Sequence, residues 1–150
     1  MDLLNCLPHK PPMRLIERVT ELVAGEFAAG GRDTVATDFY FDGHFPGQPI
    51  VPAVILVEML AQVGGLAAAA PRDGHPDPPL QLRVAGLGPF KFPSAAGPGI
   101  YLEARARVAG RLGGLYKIEG EVTADGRVVA TGSVTLARGC RPLRSAWQNA

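Results

Sequence analysis

The sequence predicts an α+β fold in which an antiparallel sheet of five to six strands wraps around one long central helix. Three observations carry that expectation. The run VILVEMLAQVGGLAAAA, residues 54–70, holds no proline and is apolar on nearly every side, so the helix it forms must be surrounded by protein. Two segments of the second half alternate apolar and polar residues with the period of two that a half-buried strand requires, and a third returns from a turn as another strand. The 150 residues suffice for one domain with a real core and leave little room for a second, so residues 1–150 are read as a single domain whose tail, from about residue 139, is loosely ordered.

The elements follow in order. Residues 13–23 (MRLIERVTELV) place apolar side chains at 13, 15, 19 and 23, and EFAAGGRDTVAT after them is β-compatible but glycine-rich, so the two read as a hairpin. Residues 38–52 hold three prolines and two glycines and form a loop. Pro52 suits the first turn of the helix, where its missing N–H costs nothing, and Pro71 ends the run. PRDGHPDPPL is a surface loop. Beyond it Ile100, Leu102, Ala104, Ala106 and Val108 alternate with Tyr101, Glu103, Arg105 and Arg107, and Tyr116, Ile118, Gly120 and Val122 with Lys117, Glu119, Glu121 and Thr123. ADGR supplies an Asp-Gly turn, and residues 128–137 (VVATGSVTLA) return as a strand. A meander of this kind buries its apolar face by curling around the helix and leaves its outer strands as free edges, with which a second copy of the chain could pair.

Composition narrows the function. Hydrophobic residues make up 47% of the chain and the net charge is +1, which points neither to disorder nor to a nucleic-acid partner. Cys6 and Cys140 lie near opposite ends and form no CxxC pair, so neither a zinc site nor a disulfide framework is indicated, and a reducing cytoplasm fits. The N-terminus lacks the layout of a signal peptide. Residues 51–70 have the length of a membrane span, but Glu58 at the centre would cost about 2.5–3.5 kcal/mol on insertion, so a buried helix and no membrane is the reading.

The chemistry lies in GHFPGQPIVPAVILVEMLAQVGG, residues 43–65. Glu58 and Gln62 are four apart on one helical face, so a carboxyl and an amide meet in apolar surroundings, where desolvation disfavours the charged form. A neutral carboxylic acid can donate a proton. His44, in a turn stiffened by Pro46, Gly47 and Pro49, suits general-base work. The first N–H groups of the helix, near Ala53 and Val54, lack intrahelical acceptors and sit at the positive end of its dipole, where a developing oxyanion could be held. Base, acid and oxyanion hole suit removal of a proton beside a carbonyl with loss of a neighbouring hydroxyl, the dehydration of a 3-hydroxyacyl compound.

That run resembles the signature HFPGxPxxPGVLxxExxAQ of the 3-hydroxyacyl-[acyl-carrier-protein] dehydratases, the FabZ-like members of the hot dog fold, including the spacing of histidine to glutamate. LPHKPPMRLIERV, residues 7–19, is similar to that family's opening, and residues 84–108 and 125–137 follow its third and closing strands, so the likeness spans nearly the whole chain. The resemblance implies that His44 is the base and Glu58 the acid, supplied by opposite subunits of a dimer, and that the acyl group lies in a tunnel along the helix. Substrate contacts then fall to Phe45, Pro52, Ala53, Val54 and Gln62. It further implies an acyl carrier protein as partner, no cofactor and a homodimer or dimer-based higher oligomer, with a heterodimer alongside a second dehydratase-like chain as the variant. The chain departs from the family pattern at Ala53, where the family has glycine, and at Gly88, Lys91 and Ile100, where it has aspartate, arginine and an acid. These departures suit a specialised pathway such as polyketide or polyene assembly, and the abundance of Ala, Gly, Arg and Pro suits a high-GC genome.

Blander readings stand beside these. A lone glutamate in an apolar helix could cap a buried donor, and Gln62 could orient the acid or satisfy backbone groups. His9 reads as structural and His75 as solvated, so no metal site is expected. Arg105, Arg107, Arg111 and Lys117 read as the wet face of the sheet, or in part as a docking patch for an acidic carrier protein. Rival functions are a noncatalytic acyl-binding subunit of a dehydratase heterodimer and a hot dog acyl thioesterase.

Overall fold

A computed structural model describes residues 2–71 and 81–139. The expected solvated loop, with His75, and the expected loose tail, with Cys140, therefore lie almost wholly outside the described residues. The chain runs through a 3-10 turn (Leu3–Cys6), strands β1 (Arg18–Val23) and β2 (Phe27–Asp33), helix α1 (Ala53–Ala69), and strands β3 (Leu82–Leu87), β4 (Tyr101–Leu112), β5 (Leu115–Ala124) and β6 (Arg127–Arg138). The strands form one antiparallel sheet in the order β1-β2-β4-β5-β6-β3, and α1 lies across β2, β4, β5 and β6. This is the hot dog fold.

The alternation seen in the sequence sets which face meets the helix. Leu102, Ala104 and Ala106 of β4, Ile118 and Val122 of β5, and Val134 and Leu136 of β6 are buried, and they close on Met59, Leu60, Val63 and Leu66 of α1. Each large aliphatic side chain so buried contributes about 1.5–3 kcal/mol. Helix and sheet approach closely because Gly64 has no side chain: a Cβ there would come within 2.6 Å of Ile118 Cγ2. The β5–β6 turn is the expected Asp-Gly one, with Asp125 at φ 46° and Gly126 at φ 83°, and Ala124 pairs with Arg127. Two positive φ values are what a tight hairpin turn needs.

The hairpin of β1 and β2 forms, but β1 starts at Arg18 rather than at residue 13. Leu15 and Ile16 are neighbours and both fully buried, which a strand with one wet face cannot arrange. Met13 and Val23, counted above with the apolar face, are 46% and 51% exposed. β2 likewise ends at Asp33, because Thr34 turns its hydroxyl to Gly97 and Ile100. At the helix, Pro52 is the N-cap and not the first helical residue. The first turn is also less enclosed than expected, since Ala53 is exposed and Val54 is 73% exposed. Among the described residues no helix is long and apolar enough to cross a membrane.

Candidate active site

His44 is fixed by its own backbone and by one side-chain bond. Its N–H donates to Phe41 O at 3.1 Å and its carbonyl accepts from Ile50 N at 2.9 Å, while Phe45 and Gln48 exchange both of their backbone bonds around the turn. The ring's Nδ1 lies 2.9 Å from Ile50 O. A carbonyl oxygen can only accept, so Nδ1 carries the hydrogen and a neutral His44 keeps its lone pair on Nε2. The loop thus selects the tautomer a general base requires. Phe45 stacks on the imidazole, with ring centroids 4.1 Å apart, and is itself 52% exposed.

A second layer anchors this loop. Asp38 receives Arg32 Nη2 at 2.6 Å, Val35 N at 2.8 Å and the Tyr40 hydroxyl at 3.0 Å, and both members of the Arg32–Asp38 pair are nearly buried. Burial, with the Asp38 carboxylate beside it, pushes the Tyr40 phenol well above its ordinary range, so the hydroxyl stays a donor. Val51 N donates to Ala96 O at 2.8 Å and ties the end of the loop to the connection between β3 and β4. The sequence reading had no place for this anchor, because a buried Asp-Arg pair six residues apart across a strand end looks like ordinary surface charge.

On the helix, Gln62 is 1% exposed and fully committed. Its Oε1 accepts from Leu15 N at 2.9 Å, and its Nε2 donates to Met13 O at 2.7 Å and to Glu58 Oε1 at 3.0 Å. The bonds to Leu15 and Met13 fix which end of the amide faces Glu58, and that end is a donor. Glu58 Oε1 is therefore always an acceptor here, and any proton the carboxyl carries sits on Oε2. The Glu58 side chain is 28% exposed, so within one chain the acid is not in the dry surroundings the sequence suggested. His9, read above as structural, comes to the same oxygen: its Nε2 is 3.5 Å from Glu58 Oε1. The sequence offered only the LPH segment as a signal, and no local spacing links residue 9 to residue 58.

Ala53 and Val54 N–H find no acceptor among the described residues, whereas Ile55 N already bonds Pro52 O at 2.9 Å. His44 and Glu58 share no hydrogen bond or ion pair within the described chain. Among the described residues, the cavity beside Gln62, between Cys6, His9, Ala61, Gly65 and Leu82, measures only 20 Å³, far short of the expected acyl tunnel. That is room for about one water. Among the described residues no group of three potential ligands could hold a metal ion. The candidate docking cations are mostly neutralised. Arg105 pairs with Glu21 and Glu103, Arg107 and Lys117 with Glu119, and Arg111 bonds Gly25 O. Cross-strand register explains this, since β4 Arg107 stands opposite β5 Glu119. Gly88, where the family has aspartate, lies so close to β6 that a Cβ would meet Ser133 Oγ at 2.0 Å.

The FabA-like domain model matches residues 7–133. The chain belongs to this family. Relatives within it include the 3-hydroxyacyl-[acyl-carrier-protein] dehydratase FabZ of Nitratidesulfovibrio vulgaris, 36% identical over 136 residues that cover 91% of this chain and 88% of the relative. The dehydratase of the same name from Syntrophotalea carbinolica is 34% identical over 87% of each chain. Among solved structures, the dehydratase heterocomplex ApeI:P from Xenorhabdus doucetiae aligns with a TM-score of 0.73 at 18% identity, over 94% of this chain and 93% of that one. The PaaI protein of the E. coli phenylacetic acid degradation operon aligns at 0.62 and 16% identity, over 82% and 79%. These two likenesses establish the shared fold.

Proposed function

We propose that this FabA-like chain dehydrates a 3-hydroxyacyl thioester carried on acyl carrier protein, giving the trans-2-enoyl thioester. The observation that carries the reading is the opposite preparation of two groups. His44 presents a bare Nε2, because Nδ1–H is committed to Ile50 O, and Glu58 presents Oε2, because Oε1 is committed to Gln62. One side chain is set to take a proton and the other to give one.

In the proposed reaction the substrate's carbonyl oxygen rests on the Ala53 N–H at the helix start, with Val54 N–H beside it. His44 Nε2 removes a proton from C2 and the electrons move into the thioester oxygen, whose charge those N–H groups stabilise. As the charge returns, the C2=C3 bond forms and the C3–O bond breaks. Glu58 protonates the departing hydroxyl, which leaves as water, and the proton on His44 then resets the acid. The pair acts across two subunits. Phe45, Pro52, Val54 and Gln62 border the acyl group, in a channel that the second copy completes. Exposed apolar side chains suit such a partner: Phe45, Val54, Val84 and Leu87 of the edge strand β3, and Phe92 are all at least 40% exposed. The working form is accordingly a dimer or a dimer-based oligomer of a single hot dog domain, cytoplasmic, in fatty acid synthesis or a related polyketide route.

The test is direct. The protein is incubated with 3-hydroxybutyryl and longer 3-hydroxyacyl thioesters, free and on carrier protein, and enoyl absorbance is followed. Activity in the wild type that falls to background in His44→Ala supports the reading. No enoyl product from any substrate removes it, and thiol release from a non-hydroxylated acyl thioester would instead mark a thioesterase. Activity or solubility only on co-expression with a second dehydratase-like chain would mark a noncatalytic subunit.

A further inference from the structure

We infer that His9 is a positioning residue for the acid: its Nε2–H, together with the Gln62 amide, holds Glu58 Oε1 so that Oε2 is the oxygen turned to the substrate. The inference rests on the dehydratase reading and adds to it a residue from a segment outside the helix and its preceding loop. The His9 side chain is 27% exposed, yet its Nδ1 is buried with no hydrogen-bond partner, while its Nε2 faces Glu58 Oε1 at 3.5 Å. A buried N–H without an acceptor costs more than a lone pair without a donor, so the ring carries one hydrogen, and it sits on Nε2. In that tautomer His9 can only donate to Glu58. The contact is longer than a good hydrogen bond, as catalytic contacts commonly are before substrate closes the site.

Gln62 and His9 are held by different means. Gln62 is bonded to Met13 O and Leu15 N, whereas His9 sits in the preceding stretch of the same N-terminal segment, against the small cavity bounded by Cys6, Ala61, Gly65 and Leu82. Two donors on one oxygen, arriving from the helix and from the N-terminal segment, restrict the carboxyl rotation that a single donor leaves free. A second function for the LPHKPPMR segment follows: it braces the acid through His9 and, through its backbone, the amide that holds it.

The experiment compares three variants of the full-length protein with the thioester assay. His9→Gln keeps a donor at the position of Nε2, His9→Asn places its amide at the position of Nδ1 and does not reach Glu58, and His9→Phe keeps the volume alone. We expect His9→Gln to retain kcat within about threefold, and His9→Asn and His9→Phe to lose about tenfold or more in kcat with KM little changed. Nitrogen NMR of the wild type should show His9 as the Nε2–H tautomer, with a signal that moves in Glu58→Gln. A merely structural histidine would give equal kcat in the Asn and Gln variants of matched thermal stability, and that result overturns the inference. An Nδ1–H tautomer overturns it without any activity measurement, which covers a Phe variant that fails to fold. A wild type with no dehydratase activity would refute the functional reading instead, which His44→Ala distinguishes from a wild type that is active but indifferent to residue 9.

Discussion

The two halves of the candidate site are built to different standards of completeness. Around His44 everything is supplied by one chain: backbone bonds close the turn, Ile50 O chooses the tautomer, and the Arg32–Asp38–Tyr40 cluster ties the loop to β2. Around Glu58 the chain fixes one oxygen and leaves the other open, with the carboxyl partly in solvent and only a water-sized cavity beside it. A base needs its geometry set by the backbone, which a loop can provide alone. An acid that must stay dry needs walls, and among the described residues Glu58 is left 28% exposed, with the first turn of α1 and the β3 edge uncovered.

The largest expected effect tests whether that cover is a second copy. His44→Ala and Glu58→Ala should each lose about a thousandfold in kcat or more. Mixed after unfolding and refolding together, the two inactive variants should regain about a quarter of the wild-type rate: half the random dimers are mixed, and each mixed dimer rebuilds one of its two sites. Recovery would show that base and acid act across the interface. Mixtures that stay dead, while wild type refolded alongside recovers, would place both groups in one chain and erase the contrast.

Next in size is the anchor under the base. Asp38→Ala removes one partner of a nearly buried ion pair, leaves Val35 N–H and the Tyr40 hydroxyl without their acceptor, and leaves Arg32 only the longer pair with Glu17 at 3.5 Å. A loss of about 3–5 kcal/mol in urea unfolding is expected. Gln62→Leu comes below it, at about 2–3 kcal/mol, because the orphaned groups are one N–H at Leu15 and one carbonyl at Met13. Its effect on kcat should exceed its effect on KM, since the Glu58 carboxyl it frees serves the chemical step, while leucine leaves an apolar border to the acyl group.

What the sequence disclosed and what it withheld divide along physical lines. Periodicity identified β4 and β5 and their buried faces, because a strand's two faces are written residue by residue, and the Asp-Gly pair at 125–126 marked the turn from which β6 returns. The helix followed from its unbroken apolar run. The start of β1 was misplaced because Leu15 and Ile16 are adjacent and both fully buried, with Leu15 N–H bonded to Gln62 and Ile16 against Gly30 of β2, which strand alternation does not arrange. His9 was read only as structural and Asp38 was given no role, because their partners lie 49 residues away in one case and across a loop and strand end in the other, and no periodicity encodes such meetings. The line between the two groups is contact range rather than residue type.

The smallest effect concerns the charges that look most suited to binding an acidic partner. Arg107 and Glu119 face each other across β4 and β5, and their side chains are 62% and 36% exposed. An exposed pair gains little from Coulomb attraction in water and gives up side-chain freedom, so Arg107→Ala should change stability by no more than about 0.5 kcal/mol. The same pairing predicts that its removal leaves KM for a carrier-protein substrate within about twofold, because Glu119 already answers the charge a carrier would meet. Lys10, Arg83 and Lys91 have no carboxylate partner among the described residues, and they are the better places to look. Charge reversal at these three should raise KM for the carrier-bound substrate and leave that for the free thioester unchanged. If Arg107→Ala matched that selective effect, the sheet's wet face would be the docking surface after all, and the contrast between a finished base and an unfinished acid would have to include where the substrate arrives.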